Sequence, residues 1–164
     1  MCFYMGHKIV GLEEHRLKIE KIYLVDDDPN IRRIAEISLK KLGPWQVELA
    51  ASGRELLAML EQSKPDLLIL DVMMPEMDGP TTFQCVKEQF PDFHQPVIFM
   101  TAKVMAHEVD EYLNLGAAGV ICKPFNPKDL ADEVRKICAQ WEVSHSSLDS
   151  ATDSADLLVS SGDP

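Results

Sequence analysis

Five short apolar runs, each followed by an amphipathic stretch, constrain this chain more than any other feature. They are Lys21-Ile-Tyr-Leu-Val25, Trp45-Gln-Val-Glu-Leu-Ala50, Asp66-Leu-Leu-Ile-Leu70, Pro96-Val-Ile-Phe-Met-Thr101 and Gly119-Val-Ile-Cys-Lys123. Four are too continuously apolar for a strand with one wet face, and the run from Trp45 alternates as a strand does. Buried strands separated by amphipathic helices predict an α/β protein, a parallel sheet covered on both faces. No internal repeat is visible.

The intervening stretches carry helix signals. Asp28 is placed to cap a helix with Pro29 at its first position, and Ile31, Ile34, Ala35 and Leu42 are expected on its inner face until Gly43-Pro44 stops it. Ser52 and Glu55 form a capping box for a second helix with Leu56, Leu57 and Leu60. Pro80 can open a third, with Phe83, Val86 and Phe90. Val109, Tyr112 and Leu113 mark a fourth, closed by Gly116. Asn126 is expected to cap a fifth beginning at Pro127, with Leu130, Val134, Ile137 and Cys138 facing inward.

The domain therefore spans 21–140, after an extension at 1–20 and before an acidic tail at 141–164. From Ser144 that tail is rich in Ser and Asp without Lys or Arg, which predicts disorder. With 27 acids against 16 Lys and Arg, the net charge of −11 argues against a nucleic-acid backbone footprint. It suits a protein that gathers acids around a divalent cation. Cys2, Cys85, Cys122 and Cys138 form no C-x-x-C pair, and buried free thiols in a reducing compartment are expected. No apolar stretch approaches the roughly 18–20 residues that span a bilayer, and no signal-peptide layout opens the chain. These features predict a cytoplasmic protein.

Chemistry gathers at the strand ends. Asp71 closes one apolar run ahead of the loop Val72-Met-Met-Pro-Glu-Met-Asp-Gly79; Asp26, Asp27 and Asp28 follow another; Thr101 ends a third and Lys123 a fourth. In open α/β sheets this edge is where ligands bind. Asp28 accounts for the helix cap, which leaves Asp26 and Asp27 without a capping role. Close carboxylates resist ionisation unless a cation neutralises them, and Mg²⁺ suits hard oxygen ligands. Singly, Thr101 is an ordinary β-branched strand residue and Lys123 an ordinary surface lysine. Together with Asp71 as nucleophile they describe a site for phosphoryl transfer. A cis Lys123–Pro124 bond would aim the lysine inward, though X–Pro bonds in folded proteins are cis only about 5% of the time.

Val25-Asp-Asp-Asp28, Leu70-Asp-Val-Met-Met-Pro-Glu-Met-Asp-Gly79, Thr101-Ala102 and Lys123-Pro-Phe125 resemble the receiver domain of two-component response regulators over roughly residues 20–140. The intervals between Asp27, Asp71, Thr101 and Lys123 are also similar to the family's. The resemblance implies a flavodoxin-like, doubly wound five-stranded parallel sheet, order 2-1-3-4-5, with five helices. It further implies Asp71 as phosphoacceptor, and a Mg²⁺ site of Asp26, Asp27, Asp71 and the Met73 backbone carbonyl with Asp27 a direct ligand. Thr101 and Lys123 would bind the phosphoryl group. The donor would be a phosphohistidine on a sensor histidine kinase or histidine phosphotransfer protein. Relatives of this kind commonly dimerise on phosphorylation.

Two departures stand out. Receivers often carry an aromatic three residues before the lysine, where this chain has Val120, which predicts a weaker or different conformational response. After Trp141 the chain has no room for an output domain, which predicts a stand-alone regulator signalling through a partner or onward phosphotransfer, not an enzyme with its own output activity. None of His7, His15, His94, His107 and His145 has the setting of a phosphotransfer histidine. Other readings fit less well. A haloacid-dehalogenase-type hydrolase resembles Asp-x-Asp, but Met73 takes the place of the second acid. A flavodoxin-like nucleotide binder wants a Gly/Ser/Thr loop where three acids stand. A receiver scaffold that is not phosphorylated would not need all five site side chains.

Overall fold

Residues 17–102 and 105–152 are described by the computed structural model; from 146 onward only the backbone is considered. Each apolar run becomes a strand and each amphipathic stretch a helix: β1 Lys21–Val25, α1 Pro29–Leu42, β2 Gln46–Ala50, α2 Gly53–Gln62, β3 Leu67–Asp71, α3 Gly79–Gln89, β4 Val97–Thr101, α4 Ala106–Asn114, β5 Gly119–Cys122 and α5 Leu130–Thr152. The strands are parallel in the order β2-β1-β3-β4-β5, the doubly wound arrangement expected.

Strand alternation builds two cores. Tyr23, Val25, Leu68, Leu70, Val97 and Phe99 pack beneath α2, α3 and α4, among Leu56, Phe83 and Tyr112. Ile22, Leu24, Leu67, Ile69, Ile98, Met100 and Ile121 face α1 and α5, among Ala35, Leu39, Leu130 and Val134. Burying each such aliphatic or aromatic side chain contributes roughly 1.5–3 kcal/mol, so these two cores, built from strands and helices together, are the main source of stability.

Caps set where the helices begin. The Asp28 carboxylate accepts from Asn30 N at 2.8 Å ahead of Pro29. Ser52 Oγ accepts from Glu55 N, but the Glu55 carboxylate accepts in return from Ala51 N at 2.6 Å, one residue earlier than a standard capping box. At the last helix, Asn126 organises a turn through Lys128 N, and α5 proper begins at Leu130, three residues after Pro127.

Three expectations are corrected. On α1 the buried residues are Ala35, Ser38 and Leu39, whereas Ile34 and Leu42 are 43% and 47% exposed. Fourteen helical residues run about 21 Å against about 16 Å for a five-residue strand, so the last turn overhangs the sheet. Of the cysteines, only Cys138 is buried; Cys85 is half-buried, Cys122 exposed, and Cys2 lies outside the described residues. Burial, helped by Glu142, pushes the Cys138 thiol up to about 12, so it stays protonated.

The expected disordered tail is also helical as far as Thr152; 153–164 lie outside the described residues. Composition does not set this boundary, because α5 is already nucleated on the core and each further residue adds a hydrogen bond. Ser144 Oγ donates to Gln140 O, and His145 stacks on Trp141 at 4.1 Å. At the other end Leu17 and Ile19 pack on the α1/α5 core, and Leu17 N donates to the Glu142 carboxylate, so the fold begins before β1. Residues 1–16 lie outside the described residues.

The α1 register gives a paired test. Leu39→Ala is expected to cost about 2–5 kcal/mol in urea unfolding, the usual range for a buried aliphatic cut to alanine. Ile34→Ala should cost less than about 1 kcal/mol. Equal losses would mean that the buried stripe is misplaced.

Candidate functional site

Four strands deliver the site. The order of the sheet puts Val25 of β1 beside Leu70 of β3, Asp71 beside Met100 of β4, and Thr101 beside Cys122 of β5. The residues that follow or end these strands therefore meet along one edge. Asp26 is wholly buried, Asp71 and Thr101 nearly so, and Asp27 is exposed. One carboxylate oxygen from each of Asp26, Asp27 and Asp71 lies within 4.8 Å of the others. From β5, the Lys123 ammonium donates to Asp71 Oδ1 at 2.8 Å and also to Asp26 Oδ2. The Lys123–Pro124 bond is cis.

Asp26 is engaged on every polar atom. Its N–H donates to Ala50 O, its Oδ1 accepts from Asp28 N, its Oδ2 from Lys123, and its carbonyl from Arg32 Nη1 at 2.5 Å. Asp27 makes no such bond among the described residues. Sequence reading did not single out Arg32, which sits six residues past Asp26 among ordinary helix positions.

The loop after Asp71 folds tightly back on the strand. Gly79 N donates to Val72 O at 2.8 Å, and a Cβ on Gly79 would stand 2.4 Å from Asp71 O. Only glycine fits there. Asp78 caps α3 through Thr81 N, and Met77 N closes a three-residue turn on Pro75 O with Glu76 at φ 64°. Met73, two residues past Asp71, is 61% exposed. The expected aromatic position, Val120, is half-buried against the core that holds Phe99 and Tyr112, whose rings lie 5.2 Å apart. His7 and His15 fall outside the described residues; His94, His107 and His145 are exposed.

Charge governs what this cluster can do. Burial raises the Asp71 carboxyl above its ordinary range, and Asp26 raises it further, while the Lys123 hydrogen bond pulls it back without cancelling the shift. Burial alone would lower Lys123, but Asp26 and Asp71 outweigh it and hold the ammonium charged. Two carboxylates within 4.8 Å repel by roughly 3 kcal/mol at an effective dielectric of 20. One ammonium against three carboxylates leaves an excess of two negative charges. The donors are all hard oxygens, and one acid is open to solvent, so the set fits Mg²⁺.

Comparison with known proteins agrees with this geometry. Residues 22–135 match the family model described as the response regulator receiver domain. The chain is 37% identical over 118 residues to a probable transcriptional regulator ycf27 of Guillardia theta, covering 72% of this chain and 45% of that protein. It is 33% identical over 136 residues to the response regulator Rre1 of Synechocystis, covering 83% of this chain and 58% of that one. It thus spans about half the length of the curated relatives it matches. Among solved structures it resembles the chemotaxis protein CheY4 of Vibrio cholerae, with TM-score 0.67 and 32% identity over 73% of this chain and 99% of that one.

A raised Asp71 carboxyl favours the folded state when protonated. That contribution is present below the ordinary aspartate range near 3.9 and is lost as pH rises through the raised value. At neutral pH the ionised group is therefore a net cost without metal. Asp71→Asn is expected to raise the thermal midpoint at pH 7 in chelator, with the gain vanishing at about pH 3. A lower midpoint at pH 7 would contradict this charge balance.

Proposed function

Since this chain belongs to the response regulator receiver domain family of two-component signalling, we propose that Asp71 is its phosphoacceptor in a Mg²⁺-dependent transfer from phosphohistidine. The observation that carries this reading is the buried Asp71 carboxylate held at 2.8 Å by the Lys123 ammonium beside two further acids. An Asp71 oxygen attacks the phosphorus, the N–P bond of the donor breaks, and an acyl phosphate forms as the neutral imidazole leaves with a proton from solvent. Asp27, Asp71 and the Met73 carbonyl would hold the cation directly. Asp26, bonded by protein on every side, would orient it. Bound Mg²⁺ supplies countercharge to the phosphoryl oxygens. Lys123 supplies the rest: once Asp71 carries the phosphoryl group, the ammonium's bond to Asp71 can pass to a phosphoryl oxygen while its bond to Asp26 stays. Thr101, ending the neighbouring strand, offers a hydroxyl to the same group.

The donor is a sensor histidine kinase or a histidine phosphotransfer protein, and the output is partner binding or onward transfer. The deeply negative charge favours a protein partner over direct contact with nucleic acid. Metal-dependent hydrolysis as the main activity has less support, because the position two residues past Asp71 is a solvent-facing methionine, not an acid.

Intact mass after incubation with acetyl phosphate and Mg²⁺ tests the chemistry. A phosphoryl adduct is expected in the wild type, absent in chelator and in Asp71→Asn, and slowed roughly 100-fold or more in Lys123→Ala. Folded, Mg²⁺-binding wild type with no adduct would instead favour an unphosphorylated scaffold. With Val120 in place of an aromatic, amide shifts on phosphorylation should concentrate at the loops after β3 and β4. Large shifts across α4, β5 and α5 would overturn that expectation.

A further inference from the structure

Arg32 is a cation that passes over the acids nearest to it in sequence. Its Nη1 donates to the Asp26 main-chain carbonyl at 2.5 Å, and that is the one hydrogen bond its guanidinium makes among the described residues. Among the described residues no carboxylate pairs with it, although Asp26, Asp27 and Asp28 lie only four to six residues earlier in the chain. The segment it grips carries the acid pair out of β1 and into the Asp28 cap. With the carbonyl fixed by α1, the N–H by β2 and the carboxylate by Asp28 N and Lys123, the main chain at Asp26 has one orientation, and Asp27 follows from it.

We propose that Arg32 is a positioning residue for the divalent cation: it clamps the Asp26 carbonyl so that the Asp27 carboxylate is presented toward Asp71. The proposal rests on the Mg²⁺-dependent reading above. It differs from a purely electrostatic role in the sign of its effect. A bare positive charge near a cation site weakens binding, so its removal should tighten Mg²⁺. A clamp does the reverse, and losing a group that holds a metal ligand in place typically costs 10–100-fold in affinity.

Calorimetric titration of the full chain with Mg²⁺ alone separates these roles, using wild type, Arg32→Met, Arg32→Lys and Asp27→Ala. For Arg32→Met the dissociation constant is expected to rise about tenfold, with part of the loss recovered in Arg32→Lys, which keeps a donor on a long stem. Thermal unfolding in chelator reports on folding separately, and a merely structural Arg32 would lower that midpoint while leaving Mg²⁺ affinity unchanged. Unchanged or tighter binding in Arg32→Met overturns the clamp. Failure of the wild type to bind Mg²⁺, or equal binding in Asp27→Ala, overturns the underlying metal reading and the clamp with it.

Discussion

The Lys123 ammonium between Asp26 and Asp71 is the interaction on which the arrangement of the site depends. Two buried carboxylates cannot stay close and ionised in a low-dielectric edge without a counter-ion. Lys123 meets part of that need in the resting chain, which explains why Asp71 is raised only to an extent and why the lysine stays charged. It leaves the rest unmet. The cluster is thus folded and still under-neutralised, the state to which a divalent cation brings favourable charge.

The sheet makes that balance achievable. Parallel strands in the order β2-β1-β3-β4-β5 bring the carboxyl ends of β1, β3, β4 and β5 to one edge, and the apolar interior of each strand fixes its register. A one-residue slip in β3 would send Leu68 and Leu70 to the wrong core and turn Asp71 away from Lys123. The same hydrophobic alternation that stabilises the domain therefore aims its polar ends. Gly79 belongs to this constraint, because any side chain there would collide with the Asp71 carbonyl and push the loop off the strand.

Much of this was legible from residue order. The five strands, the Asp28 cap and the identity of the strand-end side chains follow from period, punctuation and position. What was not legible has identifiable physical causes. The inner face of α1 was misjudged at Ile34 and Leu42 because apolar residues also occupy the flank and the overhanging turn. The helical run to Thr152 was missed because a polar segment is disfavoured in starting a helix, not in extending one. The bond from Arg32 to the Asp26 carbonyl leaves no periodic trace, since an arginine on a half-exposed helix position looks like solubility. The cis bond before Pro124 is a minority state that no local pattern announces.

Asp26 and Asp27 show why two adjacent identical residues need not be equivalent. Asp26 is completely buried, so each of its polar atoms must find a protein partner, and each does. A carboxylate so committed can orient a cation or share a lysine, but it has little freedom to rearrange. Asp27 is exposed and has no bond among the described residues, so its lone pairs are available at small desolvation cost. Burial decides this difference, and position past the strand decides burial: β1 is buried on both faces through Val25, the first residue after it still lies inside the covered sheet edge, and the second lies beyond it in solvent. An acid pair at the end of a buried strand is thereby divided into a fixed member and an open one before any ligand arrives.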